Sequence, residues 1–200
     1  MVRNVVQYLA VLAFVATIFA GTSGALAGSF MPTTGAASQP VGHFDFCKRY
    51  PSECRANARR AVVKLTDIAW KRMMAVNEVV NGSISPRTDE DMYGLPEVWS
   101  YPTSEGDCED YVLEKQRELE KAGLPASALL ITVVRQVNGS GHAVLTVRTD
   151  KGDVILDNLD DRILPWDETP YTYVKRQSDS NAGRWVGIED NRDVLVGSLQ

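Results

Sequence analysis

The fold is decided by residues 128–158, which read ALLITVVRQVNGSGHAVLTVRTDKGDVILDN. The stretch contains three apolar runs that are rich in β-branched residues and alternate in polarity. Two short segments of Gly, Asn, Asp and Ser separate the runs and favour turns. We therefore predict three sequential antiparallel strands over residues 128–137, 142–148 and 153–158. Further strand-like runs follow nearer the carboxyl end, over residues 171–174 and 185–188.

Two helical patterns precede these strands. Over residues 56–80, apolar side chains recur at steps of three and four, which predicts one long helix. A second helix is predicted over residues 107–122, and Gly123 ends it. Helices followed by an antiparallel sheet are typical of the α+β class, so we expect N-terminal helices packed on an antiparallel β-sheet.

The composition is that of one globular domain. The chain has 200 residues, of which 44% are hydrophobic and 24% are charged, and its formal net charge is −5. The apolar fraction is too high for a disordered protein. Binding to nucleic acid needs concentrated Lys and Arg, so the acidic balance argues against a nucleic-acid partner.

The first 27 residues have the organisation of a secretory signal peptide. Arg3 precedes an apolar stretch over residues 5–20, and the Ala-Leu-Ala at residues 25–27 has the spacing of a cleavage site. An uncleaved membrane anchor is the alternative, but the apolar stretch is short for a span of about 20 residues. We expect a periplasmic or secreted protein after cleavage near Ala27.

The segment after the cleavage site has two parts. Residues 28–43 are rich in Gly, Ala, Ser, Thr and Pro, so we expect a flexible leader ahead of a domain over residues 44–200. Cys47 and Cys54 lie close together in sequence, and an oxidising compartment favours a local disulfide between them. Two free thiols or two metal ligands are the alternative, which is weaker because only His43 lies nearby.

The third cysteine, Cys108, lies in the predicted first turn of the helix over 107–122. Asp107 is a natural N-cap, and the backbone N–H groups at a helix start favour a thiolate. A lowered thiol pKa is what a nucleophilic cysteine requires. The flanking acids act in the opposite direction, because like charges disfavour a thiolate. An imidazolium partner or a bound cation would remove this conflict.

His142 opens the second predicted strand and Asp157 lies at the end of the third. If the loop between these strands has an even length, Arg148 pairs with Asp153 and Asp157 lies one diagonal step from His142 on the same face. A carboxylate there holds the imidazole and completes a nucleophile, a base and an orienting group with the free cysteine. Taken singly, a capping Asp, a surface His and a buried Cys are the simpler interpretations. Their joint placement favours a catalytic triad.

Three short motifs carry a resemblance to a known family. They are Gly-Asp-Cys-Glu-Asp-Tyr at 106–111, Gly-His-Ala-Val-Leu at 141–145 and Leu-Asp-Asn at 156–158. Together they resemble the bacterial transglutaminase-like cysteine proteinases. The likeness extends from about residue 44 to about residue 188 and includes weaker elements around Trp99 and Trp166.

The resemblance implies a papain-like, transglutaminase-like α+β fold. It also implies acyl transfer with Cys108 as nucleophile, His142 as general base and Asp157 as the orienting group. The best-understood relatives are periplasmic, calcium-dependent proteases that cut large surface adhesins and so release cells from biofilms. Their calcium ligands include the acids that flank the nucleophile, here Asp107 and Glu109. The alternative for these two acids is an N-cap and a first-turn partner of the helix dipole.

The resemblance leaves the reaction and the partners open. We expect an exported cysteine peptidase that cuts a periplasmic or surface protein, with an adhesin as the candidate substrate and an inner-membrane regulatory protein as a candidate partner. We expect that the chemistry itself requires no cofactor, with Ca²⁺ as a candidate bound ion. The same thioester would serve a transglutaminase or deamidase that acts on glutamine side chains, and ammonia release without chain cleavage would identify that activity. A non-catalytic protein-binding module of the same fold would keep its activity in a Cys108→Ala variant.

Overall fold

The computed structural model describes residues 29–192 and is built around one large β-sheet. Its strands are β1 (Thr33–Ala37), β2 (Ser85–Pro86), β3 (Glu105–Gly106), β4 (Leu129–Arg135), β5 (Gly141–Thr149), β6 (Gly152–Leu156), β7 (Leu164–Pro165), β8 (Thr172–Ser178) and β9 (Asn181–Ile188). Its helices are α1 (Val41–Arg49), α2 (Asp67–Ser83), α3 (Asp89–Tyr93) and α4 (Cys108–Lys121). Seven strands form the antiparallel sheet in the order β1-β9-β8-β4-β5-β6-β7, while β2 and β3 form a separate parallel pair.

The central strands β4, β5 and β6 follow the sequence prediction closely. Arg148 pairs with Asp153 across the β5–β6 connection, which confirms the predicted even-length loop and its register. His142 lies opposite Val134 near the start of β5, and β6 ends at Leu156, immediately before Asp157. Two of the residues singled out in the sequence therefore lie at the same end of the sheet.

Helix α4 packs on one face of this sheet. Its buried side chains include Val112, Leu113 and Leu119, each at most 1% exposed, because their spacing follows the helical period. Burying one such side chain contributes about 1.5–3 kcal/mol to folding. They join Leu145 of β5 in the main core, and α2 packs against α4 in turn. The predicted class, helices on an antiparallel sheet, is confirmed.

The predicted helix over residues 56–80 is wrong in its first part. Helix α2 begins only at Asp67, where the Thr66 side chain accepts a hydrogen bond from a backbone N–H at 3.2 Å and caps the helix. Upstream, Val63 pairs with Thr149 at the end of β5 and is buried in the core. Some of the apolar residues that suggested a helix before Asp67 are therefore apolar because they contact the sheet.

The expected flexible leader at residues 28–43 is also wrong. Strand β1 lies in this segment and pairs with β9, with Ala37 opposite Trp185. Helix α1 then begins at Val41, so that His43 is buried at 1% exposure. A strand of small residues is acceptable at a sheet edge, where most of its side chains stay exposed. The folded domain therefore begins before residue 44.

The predicted signal peptide, residues 1–27, lies outside the described residues. Within the described range of 29–192, no helix is long and apolar enough to cross a membrane. The longest helix of that range, α2, has 17 residues and carries charged side chains on its exposed face. Export of the protein stays a prediction from its sequence.

Candidate active site

The start of α4 carries the free thiol of the protein. Cys47 and Cys54 form a disulfide, as predicted, which leaves Cys108 free among the three cysteines. Cys108 is the first residue of α4 and is half-buried. Asp107 occupies the N-cap position with extended backbone, but its side chain makes no capping hydrogen bond. The thiol therefore lies where helix N–H groups favour a negative charge.

His142 and Asp157 are joined by a buried hydrogen bond. His142 Nε2 lies 2.8 Å from Asp157 Oδ1, and the two side chains are only 3% and 4% exposed. Asp157 also accepts hydrogen bonds from the Tyr171 hydroxyl and the Leu159 N–H. Burial raises the pKa of Asp157, but the hydrogen bonds and the charge of His142 outweigh it and hold that pKa below its usual value. Because Nε2 contacts Asp157, Nδ1 is the ring nitrogen left for proton exchange with a thiol.

Cys108 and His142 line the same cleft. Two cavities of about 390 and 400 Å³ both include Cys108, Gly141 and His142 in their walls. The structure thus brings the predicted nucleophile and base to one cleft, with Asp157 hydrogen-bonded to the base. In the described part of the chain, however, Cys108 Sγ donates its hydrogen bond to Glu109 Oε2 at 3.2 Å and not to His142. The thiol is held by a carboxylate beside it.

An acidic cluster lies next to the thiol and consists of Asp89, Asp107 and Glu109. One carboxylate oxygen from each residue lies within 4.8 Å of the others. Burial, followed by the charge of Asp107, raises the pKa of Glu109 to about 9, and burial raises the pKa of Asp107 to about 6. Burial and then the negative charge of Glu109 raise the pKa of the Cys108 thiol. The cluster therefore opposes the thiolate that catalysis needs.

The acidic cluster has the features of a site for a hard cation. Asp89 Oδ1 and Asp107 Oδ1 are buried and have no hydrogen-bond partner. A buried carboxylate oxygen without a partner is costly unless a donor or a cation satisfies it. Carboxylate oxygens are the ligands that Ca²⁺ prefers. The cluster contains the two acids that the sequence suggests as ligands, Asp107 and Glu109, and it adds Asp89.

A second group of side chains, His43, Cys47 and Cys54, also lies close together. Its two sulfur atoms form the disulfide, so they are not thiolate ligands. Burial lowers the pKa of His43 to about 4, which keeps the imidazole neutral. The ring nitrogens of His43 are hydrogen-bonded to Gln177 at 3.1 Å and to the Trp185 indole at 3.2 Å. This group is part of the packing and not a metal site.

Comparisons with known proteins identify the family. The family model described as "Bacterial transglutaminase-like cysteine proteinase BTLCP" matches residues 33–193, which is most of the chain. The chain belongs to this family. The proteinase is a cysteine peptidase with a transglutaminase-like α+β fold, as the motifs around Cys108 and His142 predicted. No curated protein matches the chain.

Solved structures of LapG from Legionella pneumophila are similar to the proteinase. The EGTA-treated LapG is 26% identical, with 64% of this chain and 74% of that chain covered and a TM-score of 0.51. A further LapG structure is 25% identical, with coverages of 59% and 68% and a TM-score of 0.49. The calcium-bound LapG is 22% identical, with coverages of 70% and 77% and a TM-score of 0.49.

The proteinase has site features that its sequence did not indicate. Asp89 is 1% exposed, although its acidic neighbours suggest a solvated surface. Tyr171 belongs to a later loop, and only the fold brings its hydroxyl to Asp157. Trp99 lines the cleft, but its indole N–H donates to Glu97 Oε2 at 2.9 Å. The backbone N–H groups at the start of α4 are therefore the donors best placed to stabilise an oxyanion at Cys108.

Proposed function

We propose that the proteinase is an exported enzyme that cuts a periplasmic or surface protein with the triad Cys108, His142 and Asp157. One observation carries this proposal: a buried imidazole, hydrogen-bonded to a carboxylate at 2.8 Å, lines the same cleft as the free thiol at a helix start. Nucleophile, base and orienting group are the parts that acyl transfer by a thiol requires.

The first half-reaction acylates the enzyme. The Cys108 thiol gives its proton to Nδ1 of His142, and the thiolate attacks the carbonyl carbon of a substrate amide. The N–H groups at the start of α4 stabilise the negative oxygen of the tetrahedral intermediate. His142 then gives its proton to the departing amine, the C–N bond breaks and a thioester on Cys108 remains.

The second half-reaction releases the acyl group. His142 removes a proton from water, and the resulting hydroxide attacks the thioester carbon. Collapse of the tetrahedral intermediate breaks the C–S bond, frees the carboxyl product and returns the proton to Cys108. Throughout both steps Asp157 keeps its hydrogen bond to Nε2, which fixes the orientation of the ring and stabilises its charged form.

We assign Asp89, Asp107 and Glu109 as the residues that would hold a calcium ion. Bound there, Ca²⁺ supplies positive charge that offsets the carboxylates around the thiol. Glu109 now accepts the hydrogen bond of the Cys108 thiol. Engaging the Glu109 carboxylate as a ligand would withdraw that acceptor and leave the thiol to His142. Calcium dependence of the reaction follows from this arrangement.

The cleft suits a chain segment that passes over Cys108 and His142. One of the two adjoining cavities is lined by Arg87, Asp91 and Leu159, and the other by Glu97 and Lys175. Both cavities adjoin the thiol and the imidazole, so together they offer room for more of a substrate than the reacting amide alone, as cleavage of a polypeptide requires. A surface adhesin is the candidate substrate because the best-understood relatives cut adhesins.

Location and regulation also belong to this proposal. The signal peptide over residues 1–27 would direct the protein to the periplasm, where its disulfide is stable. An adhesin substrate would connect the activity to release of cells from biofilms. A regulatory protein at the inner membrane is the candidate partner.

The experiment is a survey of new protein N-termini in cells that carry either the wild-type gene or Cys108→Ala. Surface and secreted proteins are labelled at their free N-termini and compared by mass spectrometry, with calcium or with EGTA. We expect wild-type cells to show new N-termini in at least one surface protein, and only with calcium. Ammonia release without new N-termini would identify a deamidase or transglutaminase. If the two strains show the same N-termini and release cells from biofilms equally well, the protein acts as a non-catalytic binding module.

A further inference from the structure

A small cavity adjoins the carboxylate of the proposed triad. It has a volume of about 170 Å³, and its walls include Asp157 and Tyr171, which are hydrogen-bonded to each other. Cys108 and His142 line the catalytic cleft but not this cavity, whereas Asp157 lines this cavity but not the cleft. Because His142 and Asp157 are in direct contact, the cavity lies one side chain beyond the imidazole.

Leu159 separates this cavity from the catalytic cleft. The residue lines both the 170 Å³ cavity and the 390 Å³ cavity whose walls include Cys108 and His142. It is also 58% exposed. The two spaces therefore share one wall, part of which faces solvent, and we call the smaller space the Leu159 cavity.

The shared wall is held in a fixed position relative to the triad. The Leu159 N–H donates to Asp157 Oδ1 at 3.0 Å, and the same oxygen lies 2.8 Å from His142 Nε2. Asn81 of α2 donates to the backbone carbonyl of Asp157 at 2.9 Å and to Asp161 Oδ1 at 2.7 Å. These bonds fix the chain on both sides of Leu159, so the wall is formed before a substrate binds, as is usual for binding sites.

Much of the lining of the Leu159 cavity is apolar. Leu164 pairs with Ile155 across β6 and β7, so their side chains lie on the same face of the sheet. Ile155 is fully buried and Leu164 is half-buried. The apolar residues of the lining are Ile155, Leu159, Leu164 and Pro170.

The buried polar side chains of the lining are already paired. Tyr171 donates to Asp157, and the Thr169 hydroxyl donates to the carbonyl of Trp166 at 2.9 Å. Among residues 29–192, none of the buried side-chain atoms that lack a hydrogen-bond partner belongs to this lining. A group that enters the cavity therefore meets apolar surface and leaves no buried polar atom in need of a partner, which favours an apolar occupant.

The volume of the Leu159 cavity suits one side chain. A cavity of about 150 Å³ with an apolar lining is large enough to bind benzene. At about 170 Å³, the Leu159 cavity has room for one branched aliphatic or aromatic side chain. It is smaller than the sites of about 300–1,000 Å³ that bind drug-sized ligands.

We propose that the Leu159 cavity is a specificity subsite of the proteinase, which binds one apolar side chain of the polypeptide substrate, of the size of Leu, Ile or Phe. The inference rests on the peptidase proposed above. The occupant does not belong to the residue whose carbonyl reacts, because neither Cys108 nor His142 lines the cavity. An extended chain advances about 3.3–3.6 Å per residue, so we expect the occupant within about three residues of the scissile bond.

The test begins with the cleavage preference of the wild-type protein. Peptides from a digested proteome are incubated with the purified protein and saturating calcium, and mass spectrometry identifies the residues on both sides of each cut. We expect Leu, Ile or Phe to be favoured at one position within about three residues of the cut. Two synthetic peptides are then made that differ only by Leu or Ala at that position. The Leu peptide should have a kcat/KM at least about tenfold higher than the Ala peptide.

Substitutions at Leu164 change the cavity in opposite directions. Leu164→Phe fills part of it and should reduce the Leu-to-Ala ratio of kcat/KM to about one, while Leu164→Ala enlarges it and should shift the preference toward Phe. Ile68→Phe is the matched control, because Ile68 is 65% exposed on α2 and lines neither the cavity nor the cleft. A ratio for one enzyme cancels any general loss of its activity. A folded Leu164→Phe protein with the wild-type ratio, or a wild type with no apolar preference, would overturn the proposal.

A second variant decides the question if Leu164→Phe does not fold. Leu159→Ala changes an exposed side chain and keeps the backbone hydrogen bond to Asp157. It removes the shared wall and should lower the Leu-to-Ala ratio about fourfold, which corresponds to the burial of about one CH₂ group. An unchanged ratio in Leu159→Ala would overturn the proposal.

The design also distinguishes failure of the inference from failure of the proposed function. If the wild type cuts no peptide and its Cys108 reacts with iodoacetamide no faster than free cysteine, the proposed peptidase is wrong and the subsite with it. If the wild type cuts peptides but the ratio does not depend on Leu164 or Leu159, only the subsite is wrong.

Discussion

Removing the hydroxyl of Tyr171 tests how the protein holds Asp157, the orienting carboxylate of the proposed triad. The Tyr171 hydroxyl donates to Asp157 Oδ2, while His142 occupies Oδ1. The substitution Tyr171→Phe keeps the ring, which lies 5.5 Å from the His142 ring between centroids, and deletes only the donor. Asp157 then stays buried with one oxygen short of a partner. The expected result is a loss of stability that depends on the charge of Asp157.

The magnitude follows from the kind of hydrogen bond. A bond to a charged group contributes about 1.5–3 kcal/mol, whereas one between neutral groups contributes about 0.5–1.5 kcal/mol. Tyr173→Phe is the matched control, because Tyr173 is also buried and its hydroxyl pairs with the neutral Thr169 hydroxyl at 2.9 Å. For a domain of this size, we expect melting temperatures to fall by about 3–12 °C for Tyr171→Phe and about 1–6 °C for the control.

The pH dependence gives the sharper comparison. The pKa of Asp157 is lowered in the folded protein, so its stabilising contribution is present above the unfolded pKa and is lost as the pH falls through the folded pKa. Tyr171→Phe removes one cause of the lowering, so the free-energy difference between variant and wild type should be largest at neutral pH and shrink in acid. Urea denaturation at several pH values measures it. A difference that is independent of pH and no larger than that of Tyr173→Phe would refute the reasoning.

Three further predictions concern the thiol, the acidic cluster and the disulfide. Without calcium and above about pH 9, where the Glu109 carboxyl is ionised, Glu109→Gln should speed alkylation of Cys108 by iodoacetamide, about tenfold for each unit by which the thiol pKa falls, because the charge that disfavours the thiolate is gone; a slower reaction would contradict this. Calcium should raise the melting temperature of the wild type, by an amount that corresponds to about 2.7 kcal/mol at a hundred times Kd, and Asp89→Asn should reduce that rise. An identical calcium response in both would exclude Asp89 as a ligand. Replacing Cys47 and Cys54 by Ala should cost about 2–3 kcal/mol of unfolding free energy, because the disulfide closes a loop with a sequence separation of 7, while alkylation of Cys108 stays unchanged.

The proximity of His142 and Asp157 could be predicted from the sequence because it depends on the pairing of two neighbouring strands. The two strands alternate with a period of two, and a short polar turn connects them, so one assumption about loop length determined the register. Arg148 does pair with Asp153, and Asp157 does reach His142. The position of Cys108 at a helix start could also be predicted, since Asp107 marks the beginning of the helix.

Long-range contacts were not accessible in this way. The strand at residues 33–37 exists because it pairs with β9 at the far end of the chain, and its small residues carry no strand signal of their own. Asp89 becomes a cluster member only when α3 folds beside α4, and nothing in its acidic surroundings distinguishes a buried carboxylate from a solvated one. Lys115 fits an exposed helical face in the sequence, yet it is completely buried in the folded chain.

The reactivity of Cys108 tests the central claim most directly. Cys108 is the free thiol of the chain, so the intact mass of the protein reports its alkylation by iodoacetamide without ambiguity. With saturating calcium at neutral pH, the wild type should react faster than free cysteine, and His142→Asn should react at least about a hundredfold more slowly than the wild type. A wild-type thiol that reacts no faster than free cysteine, or that is indifferent to His142→Asn, would contradict the proposed triad.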